Sequence, residues 1–99
     1  MIDIKRYKEL IMEERFFEAH EVFEEFWFPR RRDRDSLSLI IKGFINAAVA
    51  FELKKRGRDR NSIKVWQTYR KFMLILEREP DRELLELKDF VDKFAKSYL

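Results

Sequence analysis

Hydrophobic residues recur every three or four positions along most of this 99-residue chain, and no stretch alternates apolar with polar as a half-buried strand would. Ile4, Tyr7, Leu10 and Ile11 share one helical face, so Asp3–Met12 is a first predicted helix with Asp3 as its N-cap. Glu13-Glu14-Arg15 makes a tight connection into a second helix over Arg15–Phe28, and Pro29 stops it. Ser36 caps a third, Leu37–Lys55, which is apolar almost all round and therefore predicted to be the central element. Gly43, Ala47 and Ala50 fall on one stripe of it, small enough for another backbone to come close. That explains a mid-helix glycine, which otherwise costs about 1 kcal/mol. Gly57 ends this helix. Asn61 or Ser62 caps a fourth helix to Arg78, with Ile63, Trp66, Tyr69, Met73 and Leu76 inward. Glu79-Pro80 breaks it, and Leu84, Leu87, Val91, Phe94 and Tyr98 mark a last helix over about Asp81–Tyr98.

Helices alone, joined by short connections, predict an all-α fold: one antiparallel bundle of about five helices over residues 1–99, with helix 3 (about 37–55) central. The second and third helices are apolar over more of their surface than so small a bundle can hide. This predicts a homo-oligomer, with a dimer favoured.

The second helix holds the only histidine and one of the two tryptophans. Wound at about 100° per residue, it puts Glu18, Glu21 and Glu25 on one narrow solvent face. His20 and Glu24 break the apolar remainder. They stand one turn apart among Phe16, Phe17 and Trp27, close enough to touch. A histidine and a carboxylate among aromatics need hydrogen-bonded partners, so the pair is expected to be buried and satisfied. Lys42, Asn46 and Glu52 are the polar residues of the central helix. With His20, Glu21, Glu24 and Trp27 they make up the expected polar cluster.

Composition changes the picture in three ways. Charged residues reach 41%, well above the usual quarter, which together with two glycines and no cysteine suggests a thermophile's ion-pair-rich surface. The lack of cysteine excludes thiolate chemistry and disulfides, and fits a cytoplasmic protein. No apolar signal segment follows Met1, and Lys42, Asn46 and Glu52 interrupt the longest apolar run, so no membrane span is expected.

Two basic loops remain: Arg30, Arg31, Arg32 and Arg34 after the second helix, and Lys54, Lys55, Arg56, Arg58 and Arg60 after the third. In an up-down bundle they lie at opposite ends, roughly 25–30 Å apart, and do not join into one stripe, so nucleic acid is not a favoured partner and weak nucleic-acid binding through these loops stands only as an alternative. No cofactor is expected. His20 and Glu24, helped by Asn46 or Glu52, offer two or three ligands to a divalent metal, the basis of an alternative metal-binding or metal-dependent hydrolase reading. The second histidine of a zinc-protease motif is missing, and no serine sits on a nucleophile elbow. The leading expectation is therefore a non-enzymatic protein-interaction or self-assembling module.

Phe16–Trp27 reads F-F-E-A-H-E-V-F-E-E-F-W, Ile41–Phe51 reads I-K-G-F-I-N-A-A-V-A-F, and a basic turn containing Gly57 follows. Over about Phe16–Gly57 this resembles the domain of unknown function 309 family, whose A-H-E-x-x-E…W segment is followed by a helix reading roughly L-x-G-L-I-x-x-A-V-A-L. The resemblance implies an all-helical fold and no established activity. It places the family's polar positions on His20, Glu21 and Glu24. The chain departs from it at Lys42 and Asn46, where glutamine is common, and near Glu52, where histidine is common.

Overall fold

The structure is a computed structural model that describes residues 2–99. Five helices run in order: α1 Ile4–Met12, α2 Phe16–Trp27, α3 Ser36–Lys55, α4 Asp59–Arg78 and α5 Arg82–Tyr98, with no strand among the described residues. The all-α bundle expected from the hydrophobic periodicity is the fold.

The helix ends follow from local chemistry. The Asp3 carboxylate accepts from the Arg6 amide at 3.0 Å and starts α1. Asp81 accepts from Leu84 at 3.1 Å and starts α5. The α1–α2 and α3–α4 connections both close as Schellman turns, with Arg15 N–H reaching Leu10 O and Arg58 N–H reaching Leu53 O at 2.9 Å each. Gly57 supplies the left-handed residue in the second turn (φ 79°), while Glu14 occupies it in the first (φ 58°). Past Trp27 the chain does not leave the helix abruptly. Phe28–Arg30 forms a single 3-10 turn, because Pro29 is tolerated in a first turn, where its missing N–H has no partner to lose.

Two expected helix starts shift. Asp35 holds the N-cap position of α3, and Ser36 is its first residue, donating its hydroxyl to Glu79 at the far end of α4. α4 starts at Asp59, before either predicted cap. Ser62 lies inside its first turns, buried, with Oγ donating to Ala50 O at 2.7 Å. The buried line of α4 is therefore Ser62, Tyr69, Met73 and Leu76, with Trp66 half-buried beside it, and Ile63 points outward, 58% exposed. The Ser62 hydroxyl bonded to the Ala50 carbonyl brings the α4 and α3 backbones close there.

That closeness is set by the small stripe of α3. A Cβ placed on Gly43 would stand 2.8 Å from both Phe72 Cβ and Met73 Cε. α3 packs on α2, α4 and α5, which makes it the centre of the bundle. α1 and α5 cover one side of the α2–α3–α4 layer. The core on that side is aromatic: Tyr7 stacks on Phe23 with centroids 4.2 Å apart, and Phe16 meets Phe51, Phe94 and Tyr98. Tyr7 OH donates to Phe44 O at 2.7 Å, and Tyr69 OH to Asp92 Oδ1 at 2.9 Å. By length and composition alone α3 is apolar enough to cross a bilayer, yet 56% of its most apolar window is buried inside the bundle.

Candidate functional site

The other side of the α2–α3–α4 layer is open. Leu39, Lys42, Asn46, Val49 and Leu53 follow each other on α3 at spacings of three and four, and every one is half-buried. The inner side of the same helix, from Ile40 to Phe51, is fully buried. On α2 the adjoining line is Phe17, His20, Glu24 and Trp27. On α4 it is Phe72 and Ile75, half-buried against the core.

His20 and Glu24 lie on this face. His20 Nε2 and Glu24 Oε2 are 2.8 Å apart, and His20 Nδ1 stands 3.3 Å from Phe17 O. The side chains are 19% and 39% exposed. The expectation of a buried pair is thus corrected: α2 turns this line toward solvent, and only the aromatic neighbours shield it. Phe17 lies against the imidazole, centroids 5.5 Å apart, and is itself 56% exposed. Glu21 is exposed, on the rim with Glu24, Glu25 and Phe28.

The polar residues of α3 divide. Lys42 Nζ stands 4.3 Å from the centre of the Trp27 ring, a cation–π contact worth about 0.5–1 kcal/mol at an exposed site. Asn46 is half-buried between Lys42 and Val49. Glu52 bonds Arg56 at 2.6 Å. His20, Phe17, Val49, Glu52, Leu53 and Arg56 line one groove of about 240 Å³ between α2 and α3. The predicted cluster therefore spreads along a surface and does not converge on a point. His20 and Glu24 bond each other. Among the described residues no group of three or more His, Cys, Asp or Glu is placed to hold a metal ion.

The basic loops sit at opposite ends of α3, and several of their side chains serve the fold. Arg30 donates to Phe26 O at 2.8 Å and Arg31 to Phe28 O at 2.7 Å, each guanidinium lying over the ring of its acceptor residue. Cations at those carbonyls complement the negative end of the α2 dipole. Lys55 donates to Glu14 O at 2.8 Å, and Lys54 pairs with Asp59 at 3.4 Å. Arg32, Arg34, Arg58 and Arg60 are exposed.

Two features escaped the reading of the sequence. One is the outward apolar line of α3, which was visible as the 3-4-3-4 spacing of Leu39, Lys42, Asn46, Val49 and Leu53. The other is the exposed flank of α4, with Arg60, Lys64, Lys71 and Arg78, whose signal was a helical period in charge rather than in hydrophobicity.

Compared with protein families, the chain matches the domain of unknown function DUF309 over residues 4–65, more than half of its length. The matched segment runs from α1 to the first turns of α4 and contains the whole α2/α3 face. Neither the curated proteins nor the solved structures give a match.

Proposed function

The chain belongs to the DUF309 family, and from its open face we propose that it is a self-assembling module, a homodimer joined through the outer side of α2, α3 and α4. The observation that carries this reading is the half-buried line on α3. A helix in a finished monomer carries polar residues on its outward side, whereas here Leu39, Val49 and Leu53 stand there with only Lys42 and Asn46 between them. The 3-4-3-4 spacing is that of a helix meeting another helix along a seam. A lone asparagine in such a seam fixes register.

Size and symmetry agree with a second copy as the occupant. The 20-residue helices α3 and α4 make the layer about 30 Å long. Three helices at 8–10 Å spacing make it about 20–25 Å wide. The resulting area of roughly 600–750 Å² is close to the ~800 Å² a stable interface takes from each partner. An antiparallel crossing of two α3 helices centred between Asn46 and Val49 sets Lys42 of each copy opposite Leu53 of the other and Asn46 opposite Val49, so the same line of residues meets itself. Nothing in this reading requires a metal or a catalytic group. His20 and Glu24 then act as a polar rim to the apolar seam.

Sedimentation equilibrium over about 1–100 µM tests it. The parent chain is expected to sediment as a dimer, and Val49→Glu and Leu53→Glu as monomers with unchanged helical circular dichroism. A monomeric parent at the highest concentration sinks the proposal, as does a dimer that survives both substitutions.

A further inference from the structure

α4 carries five basic residues, Arg60, Lys64, Arg70, Lys71 and Arg78, against Asp59 and Glu77, a surplus equal to the formal +3 of the whole chain. All five are exposed. Among the described residues none of them takes part in an ion pair, whereas cations on the other helices do: Arg6 with Glu9, Lys88 with Asp92 and Lys93 with Asp89. Four of the five are aligned. At about 100° per residue, Arg60, Lys64, Lys71 and Arg78 fall within about 40° of one another, and no acid shares that sector. They form a straight line about 27 Å long on the flank of α4 turned away from α3.

The line also joins what the chain order separates. Its first residue follows directly on the Gly57 turn with its exposed Arg58. Its last stands beside Glu79, which accepts the Ser36 hydroxyl and so ties the end of α4 to the loop carrying Arg32 and Arg34. The two basic loops are therefore the ends of one basic track.

We propose that this track, Arg58–Arg60–Lys64–Lys71–Arg78 with Arg32 and Arg34 beyond it, is a docking surface for the phosphate backbone of a nucleic-acid duplex. Three features point to that partner. The cations lie in a line, as the charges of a linear polyanion do, and 27 Å corresponds to about eight base steps at 3.4 Å. The long side chains are unpaired, so no internal partner has to be displaced. The large apolar residues Tyr69, Met73 and Leu76 of α4 are buried in the bundle, and the exposed ones, Ile63 and Leu74, stand singly about three turns apart, so no continuous apolar face is left to sink into a lipid surface. Contacts of this kind fix position and carry no base sequence.

The test uses the full chain and a fluorescein-labelled 20-base-pair duplex of mixed sequence, made as DNA and as RNA, with fluorescence anisotropy between 50 and 200 mM KCl. Four phosphate contacts give a slope of log K against log salt of about −4, or roughly a hundredfold loss of affinity over that range. The double variant Lys64→Glu/Lys71→Glu is expected to flatten the slope by about 2 units. A second variant, Lys5→Glu/Lys93→Glu, changes net charge equally but lies on α1 and α5, and is expected to bind like the parent. Circular dichroism checks that both variants fold. Whichever duplex binds more tightly names the source of the phosphate. Equal weakening by the two variants, no binding at 50 mM KCl, or binding to phosphatidylserine vesicles in place of either duplex overturns the proposal. The variants leave Val49 and Leu53 of α3 unchanged, and sedimentation of the double variant beside the parent separates loss of phosphate contacts from loss of the dimer.

Discussion

Gly43→Ala measures how closely α3 and α4 approach, and the sign of the effect decides. On an exposed helix surface this substitution stabilises by about 1 kcal/mol, because alanine restricts the unfolded chain and favours the helix. Here the added carbon meets Phe72 Cβ and Met73 Cε at 2.8 Å, where ordinary contacts begin near 3.4 Å. Met73 can swing its terminal methyl aside. Phe72 Cβ cannot, since it is fixed to the α4 backbone, so α4 itself must move by about half an ångström. That motion loosens the aromatic contacts of Tyr69 and the Ser62–Ala50 hydrogen bond together. Overpacking of this kind costs about 1–3 kcal/mol, and a rigid neighbour places it toward the upper end. Subtracting the helix gain leaves a net loss of about 1–2 kcal/mol. With a urea m-value of about 1–1.5 kcal/mol/M for a chain of this size, the midpoint falls by about 1 M. Met73→Ala in the same background restores little, because the Phe72 contact remains. If Gly43→Ala instead raises the urea midpoint, the two backbones are not in contact and the account of the small stripe is wrong.

Other substitutions probe the remaining links. Glu14 holds a left-handed turn position at φ 58°, so Glu14→Gly is expected to stabilise by about 0.5–1 kcal/mol, a rise of a few degrees in Tm. A fall would mean that its 3.3 Å contact from Tyr98 OH outweighs the backbone strain. His20→Ala is expected to cost about 0.5 kcal/mol by urea denaturation, as a half-exposed pair should. A loss above about 1.5 kcal/mol would restore the buried site. Burial pushes the Tyr7 phenol far above its ordinary 10, and burial followed by the Asp92 charge does the same for Tyr69. These groups stay protonated in the fold while the unfolded chain ionises. The stability they confer is therefore complete below about pH 10 and lost as pH rises above it. Tyrosinate absorbance should appear together with loss of helical circular dichroism, and a smooth non-cooperative phenol titration with the helices intact would contradict their burial.

The helices were legible because most of them bury a single stripe. α1 and α5 read directly from Leu10, Ile11, Leu84, Leu87 and Val91, and the Asp3 cap of α1 stands where the sequence placed it. α4 was misread at its start because Ile63 looked like core and Ser62 looked like a cap. Only a close helix crossing makes serine the better interior residue, and crossing distance is not written in one helix. The candidate site was half legible. The contact between His20 and Glu24 follows from i, i+4 spacing, but burial depends on which side of the layer α1 and α5 cover, a tertiary fact. Charge was misread for a similar reason. The loops drew attention as runs, while the aligned cations of α4 are four to seven residues apart and meet only when the helix is wound.

The distribution of polar groups bears on where this protein works. Among the described residues only two buried ones are polar, Ser38 and Ser62, and Ser62 is bonded to a helix carbonyl. His20, Glu24, Lys42, Asn46 and Glu52, which looked on paper like an interior cluster, all keep part of their surface in water. Polar residues on an apolar helix have two explanations: a partner inside the fold, or a side that the fold leaves uncovered. Lys42 and Asn46 follow the second, since they occupy the same outward line as Leu39, Val49 and Leu53 and interrupt it once per turn. Such a line is too apolar for free surface and too wet for core. That intermediate character fits the proposed seam between two copies, in which lysine and asparagine would set the alignment that leucine and valine alone would leave loose.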